Sequence, residues 1–82
     1  MVMRMLKRSP KLIVTFYTTA EAMATERLCR ELGLRGRLIS APRNITADCG
    51  IAWATDPTLG EQTIRALNDA KIEYAGYREL TL

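Results

Sequence analysis

Cys49 is the residue of this chain best suited to nucleophilic chemistry. The sequence contains no histidine and only one other cysteine, Cys29, so soft nucleophile chemistry must use one of these two thiols. Cys49 stands with Gly50 at the end of a polar loop, before a short apolar run. Because the thiolate is the reactive form of cysteine, the function of Cys49 depends on the charges around it.

The charged neighbours of Cys49 are expected to have opposite effects on the stability of its thiolate. Asp48 is an adjacent carboxylate and disfavours the thiolate. Arg43 could stabilise a thiolate or an anionic sulfur donor, or it could instead pair with Asp48 in an exposed salt bridge. Gly50 would let backbone or a ligand approach the sulfur closely. The competing interpretation makes Cys49 a small, partly buried hydrophobic residue, as free cysteines often are.

Cys29 is interpreted as a structural residue. It lies about ten residues after the start of the first predicted helix, hence about 15 Å along it at about 1.5 Å per residue. A disulfide requires Cα atoms within about 7 Å, so we do not expect Cys29 to pair with Cys49. Two separated cysteines without histidine also do not make a zinc site. We therefore predict no metal and no cofactor.

Length and charge indicate one small domain. The 82 residues carry a net charge of +3, but four cations and no acid lie in the first eleven residues. We expect residues 1–10 to form a flexible basic tail and residues 11–82 to form the domain. Because the rest of the chain is near neutral, nucleic acid is not the expected partner. The sequence has no apolar run of the roughly 18 residues that span a membrane and no secretory signal, so we expect a cytoplasmic protein.

Apolar patterning predicts four strands and two helices. Thr18 and Glu21 have the spacing of a capping box at the start of the first helix, Gly33 is placed to end it, and Asp56 followed by Pro57 is typical of a second helix start. The predicted strands cover residues 11–17, 37–40, 50–55 and 72–80. The apolar residues predicted to form the buried side of the first helix are Met23, Ala24, Leu28 and Leu32.

The element order βαββαβ predicts an α+β, ferredoxin-like fold. We expect a four-stranded antiparallel sheet of order 4-1-3-2, with both helices on one face. In that arrangement the loop 41–49 lies at the same end of the domain as the start of the first helix. The free N–H groups near Thr18 and Thr19 would then favour a thiolate at Cys49.

The sheet face that the helices leave uncovered offers two alternative functions. Tyr17, Trp53 and Tyr77, with Ile13 and Ile51, could share this face. An apolar patch there would favour a homodimer, in an interaction or ligand-sensing module where Cys49 is incidental. A small RNA-binding domain is the weaker alternative, because strands one and three have no basic residues interleaved with their aromatics, as a base-stacking platform needs.

The chain resembles the selenium/sulfur carrier protein-like family over essentially residues 11–80. The matching pieces are the segment Pro42-Arg43-Asn44-Ile45, then Cys49-Gly50-Ile51-Ala52, and Asp56-Pro57 before the second helix. The resemblance implies that Cys49 holds sulfur or selenium as a persulfide or selenopersulfide. It also implies a donor protein and an acceptor protein as partners, and a carrier without turnover of its own rather than an enzyme.

Overall fold

The computed structural model describes residues 9–42 and 49–81. Within them, four antiparallel strands form one sheet of order β2-β3-β1-β4, which is the predicted order read from the other side. The ferredoxin-like α+β prediction is therefore confirmed. The strands are β1 (Pro10–Thr15), β2 (Arg37–Ser40), β3 (Ile51–Thr55) and β4 (Gly76–Thr81), and the helices are α1 (Thr19–Leu32) and α2 (Gly60–Asp69).

Helix α1 has the predicted ends but a different buried side. Thr18 and Glu21 form the capping box, and Gly33 ends the helix with a φ of 74° in the left-handed region. Met23 and Leu32, predicted to be buried, are instead 58% and 55% exposed. The fully buried residues of the helix are smaller: Ala22, Thr25 and Cys29.

The prediction for α1 failed at Met23, Ala24 and Leu32, which are exposed, whereas Leu28 packs against the core as predicted. Small residues let the helix lie close to the sheet, so the side that carries them packs inward. Burial of the Thr25 hydroxyl is tolerated because it donates a hydrogen bond of 2.9 Å to the Glu21 carbonyl.

Helix α2 begins later than predicted, and β4 is shorter. Asp56 caps a single 3-10 turn, Pro57–Leu59, before the α-helix starts at Gly60. After α2, Lys71 has a φ of 61°, and the Ile72 N–H bonds to the Leu67 carbonyl. Ile72, the predicted first residue of the last strand, therefore takes part in the end of α2. Residues 72–75 form a loop, and β4 begins at Gly76.

The core lies between the sheet and both helices. It contains strand residues, small residues of α1 and Leu67 of α2, which places both helices on one face. The strand members are Leu12, Val14 and Trp53, and Phe16 follows β1 directly. None of the helices in the described residues is long and apolar enough to span a membrane.

The strand register corrects the predicted aromatic surface. Trp53 pairs with Val14 and lies in the helix-side core at 2% exposure, whereas Ile13 belongs to a separate buried cluster with Ala52 and Ala54. Successive strand residues point to opposite faces, so Trp53 and Ile13 cannot share one. We call the side that carries Ile13 the helix-free face. Its apolar centre is buried, so the expected large apolar patch is not found among the described residues.

Candidate functional site

Cys49 lies beside the closed base of the β2–β3 hairpin. The Ala41 N–H donates to the Gly50 carbonyl at 2.9 Å, one step beyond the last strand pair, Ser40 with Ile51. Gly50 has a φ of 75°, in the left-handed region that glycine adopts without strain. The backbone that leads from Cys49 into β3 is therefore fixed by a hydrogen bond and by a residue suited to its turn.

The Cys49 side chain is half-buried at the end of the helix-side core. Its Sγ packs against that core and donates a hydrogen bond of 3.3 Å to the Ile51 carbonyl oxygen. This contact requires the protonated thiol, because a thiolate has no hydrogen to donate and would be repelled by a carbonyl oxygen. Loss of that hydrogen, as when a further sulfur is bonded to Sγ, would remove this hydrogen bond.

The start of α1 lies at the same end of the sheet as Cys49. Thr15, the last residue of β1, pairs with Ala52, the second residue of β3, so the chain leaving β1 and the chain entering β3 are neighbours. Helix α1 begins four residues after Thr15, and Cys49 precedes Ala52 by three. The topology therefore agrees with the arrangement that the sequence predicted.

A carboxylate already occupies the start of α1. Glu21 Oε1 accepts from the N–H groups of Tyr17 and Thr18, each at 3.2 Å, and Thr18 Oγ1 accepts from the Glu21 N–H at 3.3 Å. These bonds satisfy part of the donor capacity that was predicted to favour a thiolate, and Glu21 adds a negative charge. Thr18 thus acts as a cap, and Thr19 is the first helical residue. Arg43 and Asp48, the other predicted charges, lie outside the described residues.

Cys29 is enclosed in the core. Its side chain is fully buried, and this burial raises the pKa of the thiol above its ordinary value. Both cysteines are free. Across residues 9–42 and 49–81, no group of three or more metal-binding side chains is found. The two thiols therefore differ in access to solvent, and only Cys49 can meet a reagent without opening of the core.

Two clefts were not predicted from the sequence. One lies between α2 and β4, with a volume of about 610 Å³, and is lined by Leu12, Ile64 and Tyr77 among others. The second, of about 710 Å³, lies at the end of the sheet opposite to Cys49 and is lined by Lys11, Arg35 and Arg37. Arg35 and Arg37 are neighbours in the chain, and the antiparallel register through β3 brings Lys11 to them.

The comparison with family models matches residues 11–79 to the family described as "Putative Se/S carrier protein-like". Because the match covers nearly the whole described domain, the chain belongs to this family. No curated protein and no solved structure matches the chain. The resemblance predicted from the sequence is confirmed.

Proposed function

We propose that this protein carries sulfur or selenium on Cys49 between a donor protein and an acceptor protein. Membership of the selenium/sulfur carrier-like family supports this function, and the single supporting feature of the site is the half-buried thiol at a fixed hairpin base. Cys49 offers a sulfur that a partner can reach, whereas Cys29 does not. Arg43 is the candidate to hold the charged form.

The transfer needs no net oxidation. The Cys49 thiolate attacks the terminal sulfur of a donor persulfide, so that a new bond forms between Sγ and that sulfur. The sulfur–sulfur bond of the donor breaks, and the donor leaves as a thiol after taking up the proton from Cys49. An acceptor thiolate then removes the terminal sulfur in the same way and restores the Cys49 thiol. Selenium follows the same sequence as a selenopersulfide.

The proposal is tested by loading the protein with glutathione persulfide and measuring the intact mass. We expect the mass of one sulfur atom to be added to the wild type and to Cys29→Ala, but not to Cys49→Ser. Cyanide should remove the added sulfur as thiocyanate. A second arm uses selenite reduced by glutathione. Loading of Cys49→Ser to the wild-type extent, or no loading of any form, would overturn the carrier function.

A non-catalytic interaction or ligand-sensing module is the second candidate. The observation that favours it is the cleft between α2 and β4, whose wall includes the half-exposed ring of Tyr77, 54% accessible. In this second candidate function the protein would form a homodimer. Sedimentation of wild type and Cys49→Ser distinguishes it: a stable dimer in both, together with no sulfur loading, would favour the module.

A further inference from the structure

The carboxylates of the described residues are concentrated on the helix side of the domain. Seven of the eight described carboxylates lie on the helices, in the loop after α2 or on the helix side of β4. The exception is Asp56. In contrast, four of the eight described cations lie on the helix-free face or at the end of the sheet opposite to Cys49. These cations are Lys11, Arg35, Arg37 and Arg78.

Three of these cations line a single cleft. Lys11, Arg35 and Arg37 surround a volume of about 710 Å³, which is within the range of small-molecule sites. The ion pairs among residues 9–42 and 49–81 are Glu26 with Arg30 and Glu61 with Arg65. The cleft cations are therefore not neutralised by a described carboxylate at ion-pair distance.

The carboxylate of the cleft is already engaged. Asp56 Oδ1 accepts from the Thr58 N–H at 3.0 Å and from the Thr58 hydroxyl at 2.9 Å. These hydrogen bonds, and then the nearby charges of Lys11 and Arg35, hold the pKa of Asp56 below its ordinary value. Because both charges lower the pKa of the same carboxylate, Lys11 and Arg35 both lie near Asp56. With Arg37, the cleft carries three positive charges against one negative charge.

The segment from Arg35 to Arg37, which carries two of the cations, is held in place by the core. Thr55 Oγ1, inside the domain, donates a hydrogen bond of 2.6 Å to the Arg35 carbonyl. A Cβ on Gly36 would lie 2.5 Å from the indole of Trp53, so the backbone between Arg35 and Arg37 is packed directly against the core. The two guanidinium groups are thus presented from a fixed backbone, which reduces the entropy lost on binding.

We propose that this cleft binds a multiply charged phosphate, either inorganic or the phosphate chain of a nucleotide. Guanidinium groups are suited to phosphate because their donors match two of its oxygens at once. A polynucleotide is a poorer match, since Trp53 is buried and the strand residues on the helix-free face include no aromatic side chain for base stacking. The site is independent of Cys49, at the other end of the sheet.

Isothermal titration calorimetry with inorganic tripolyphosphate and with ATP tests this site. We expect saturable binding of tripolyphosphate that weakens as salt is added. Arg35→Ala and Arg37→Ala should each weaken it by about tenfold, the effect of losing one charge-assisted hydrogen bond. Arg27→Ala is the matched control, because it removes the same charge from an exposed position on α1. Circular dichroism checks that each variant is folded.

The outcomes separate the possible ligands. Equal binding of tripolyphosphate and ATP supports a site for the phosphate chain, and tighter binding of ATP supports a nucleotide. Unchanged binding by Cys49→Ser supports a site separate from the carrier thiol, whatever that thiol carries. The proposal is overturned if tripolyphosphate does not bind at low salt, or if Arg27→Ala weakens binding as much as Arg35→Ala. Binding of single-stranded RNA without binding of either small phosphate would also overturn it.

Discussion

Gly36 is the position where the structure makes its sharpest stability prediction. Replacing Gly36 with alanine adds one methyl group, whose carbon would lie 2.5 and 2.6 Å from two indole carbons of Trp53 and 2.9 Å from the Ala54 carbonyl oxygen. The indole is 2% exposed and cannot move into solvent, and the carbonyl belongs to β3. Relief of the clash must therefore shift the loop away from the core.

Overpacking of this kind costs about 1–3 kcal/mol. In a domain of this size, about 2 kcal/mol lowers the melting temperature by roughly 8–16 °C. Gly76→Ala is the control, because its Cβ would meet nothing within 4 Å and its φ is not in the left-handed region. We expect Gly76→Ala to be neutral or slightly stabilising, since alanine restricts the unfolded chain more than glycine does.

Thermal and urea unfolding can be followed by the fluorescence of Trp53, the single tryptophan of the chain and the residue that the new methyl group would touch. The emission of folded Gly36→Ala should also differ from that of the wild type, because the indole environment changes. Equal stability of Gly36→Ala and Gly76→Ala would refute the close packing of Gly36 on Trp53. The same result would remove the rigid support proposed for Arg35 and Arg37.

Three further predictions concern the two thiols and the capping carboxylate. Gly50→Ala and Gly33→Ala both place a side chain at a φ near 75° with open space around it. Each variant should therefore lose about 1–2 kcal/mol of the free energy of unfolding, measured with urea. Only Gly50→Ala should change the rate of Cys49 alkylation. Cys29 should resist alkylation at pH 8 until urea unfolds the protein, because burial removes it from the reagent and raises its pKa; mass spectrometry of the labelled peptides checks this, and labelling of native Cys29 would contradict it. Asp56→Asn keeps a capping side chain but removes its charge. The pKa of Asp56 in the folded protein lies below its unfolded value of about 3.9. The wild type should therefore have a higher melting temperature than Asp56→Asn above pH 5, and this difference should disappear as the pH falls through the folded pKa. A difference in melting temperature that is unchanged down to pH 2 would contradict this.

The fold was predictable because its signals are local. The capping box of Thr18, the Gly33 helix end and the Asp56-Pro57 cap each depend on a few neighbouring residues, and all are found in the structure. Together with the strand patterns they define the order of elements, and right-handed crossovers then leave few topologies.

The buried faces were less predictable because they depend on contacts distant in sequence. Nothing within α1 indicates that Ala22 and Cys29 face the sheet while Met23 faces solvent, since apolar spacing alone permits both rotations. Likewise, the sequence around Trp53 is apolar on both sides, and only the pairing with Val14 and Leu38 assigns the indole to the helix side. The cation cleft has the same origin, because Lys11 and Arg35 are far apart in the chain.

The arrangement of Cys49 also constrains how a cargo atom could be added. Because the Ala41–Gly50 bond closes the hairpin base, loading does not need to move β3; rotation of the Cys49 side chain away from the Ile51 carbonyl is the smallest change that frees Sγ. That rotation would replace one weak hydrogen bond and part of a core contact with contacts to solvent. Its free-energy cost is therefore small compared with the free energy of unfolding of a domain. The resting Cys49 is already half-buried and not enclosed, so this rotation would only increase an access to solvent that buried Cys29 lacks.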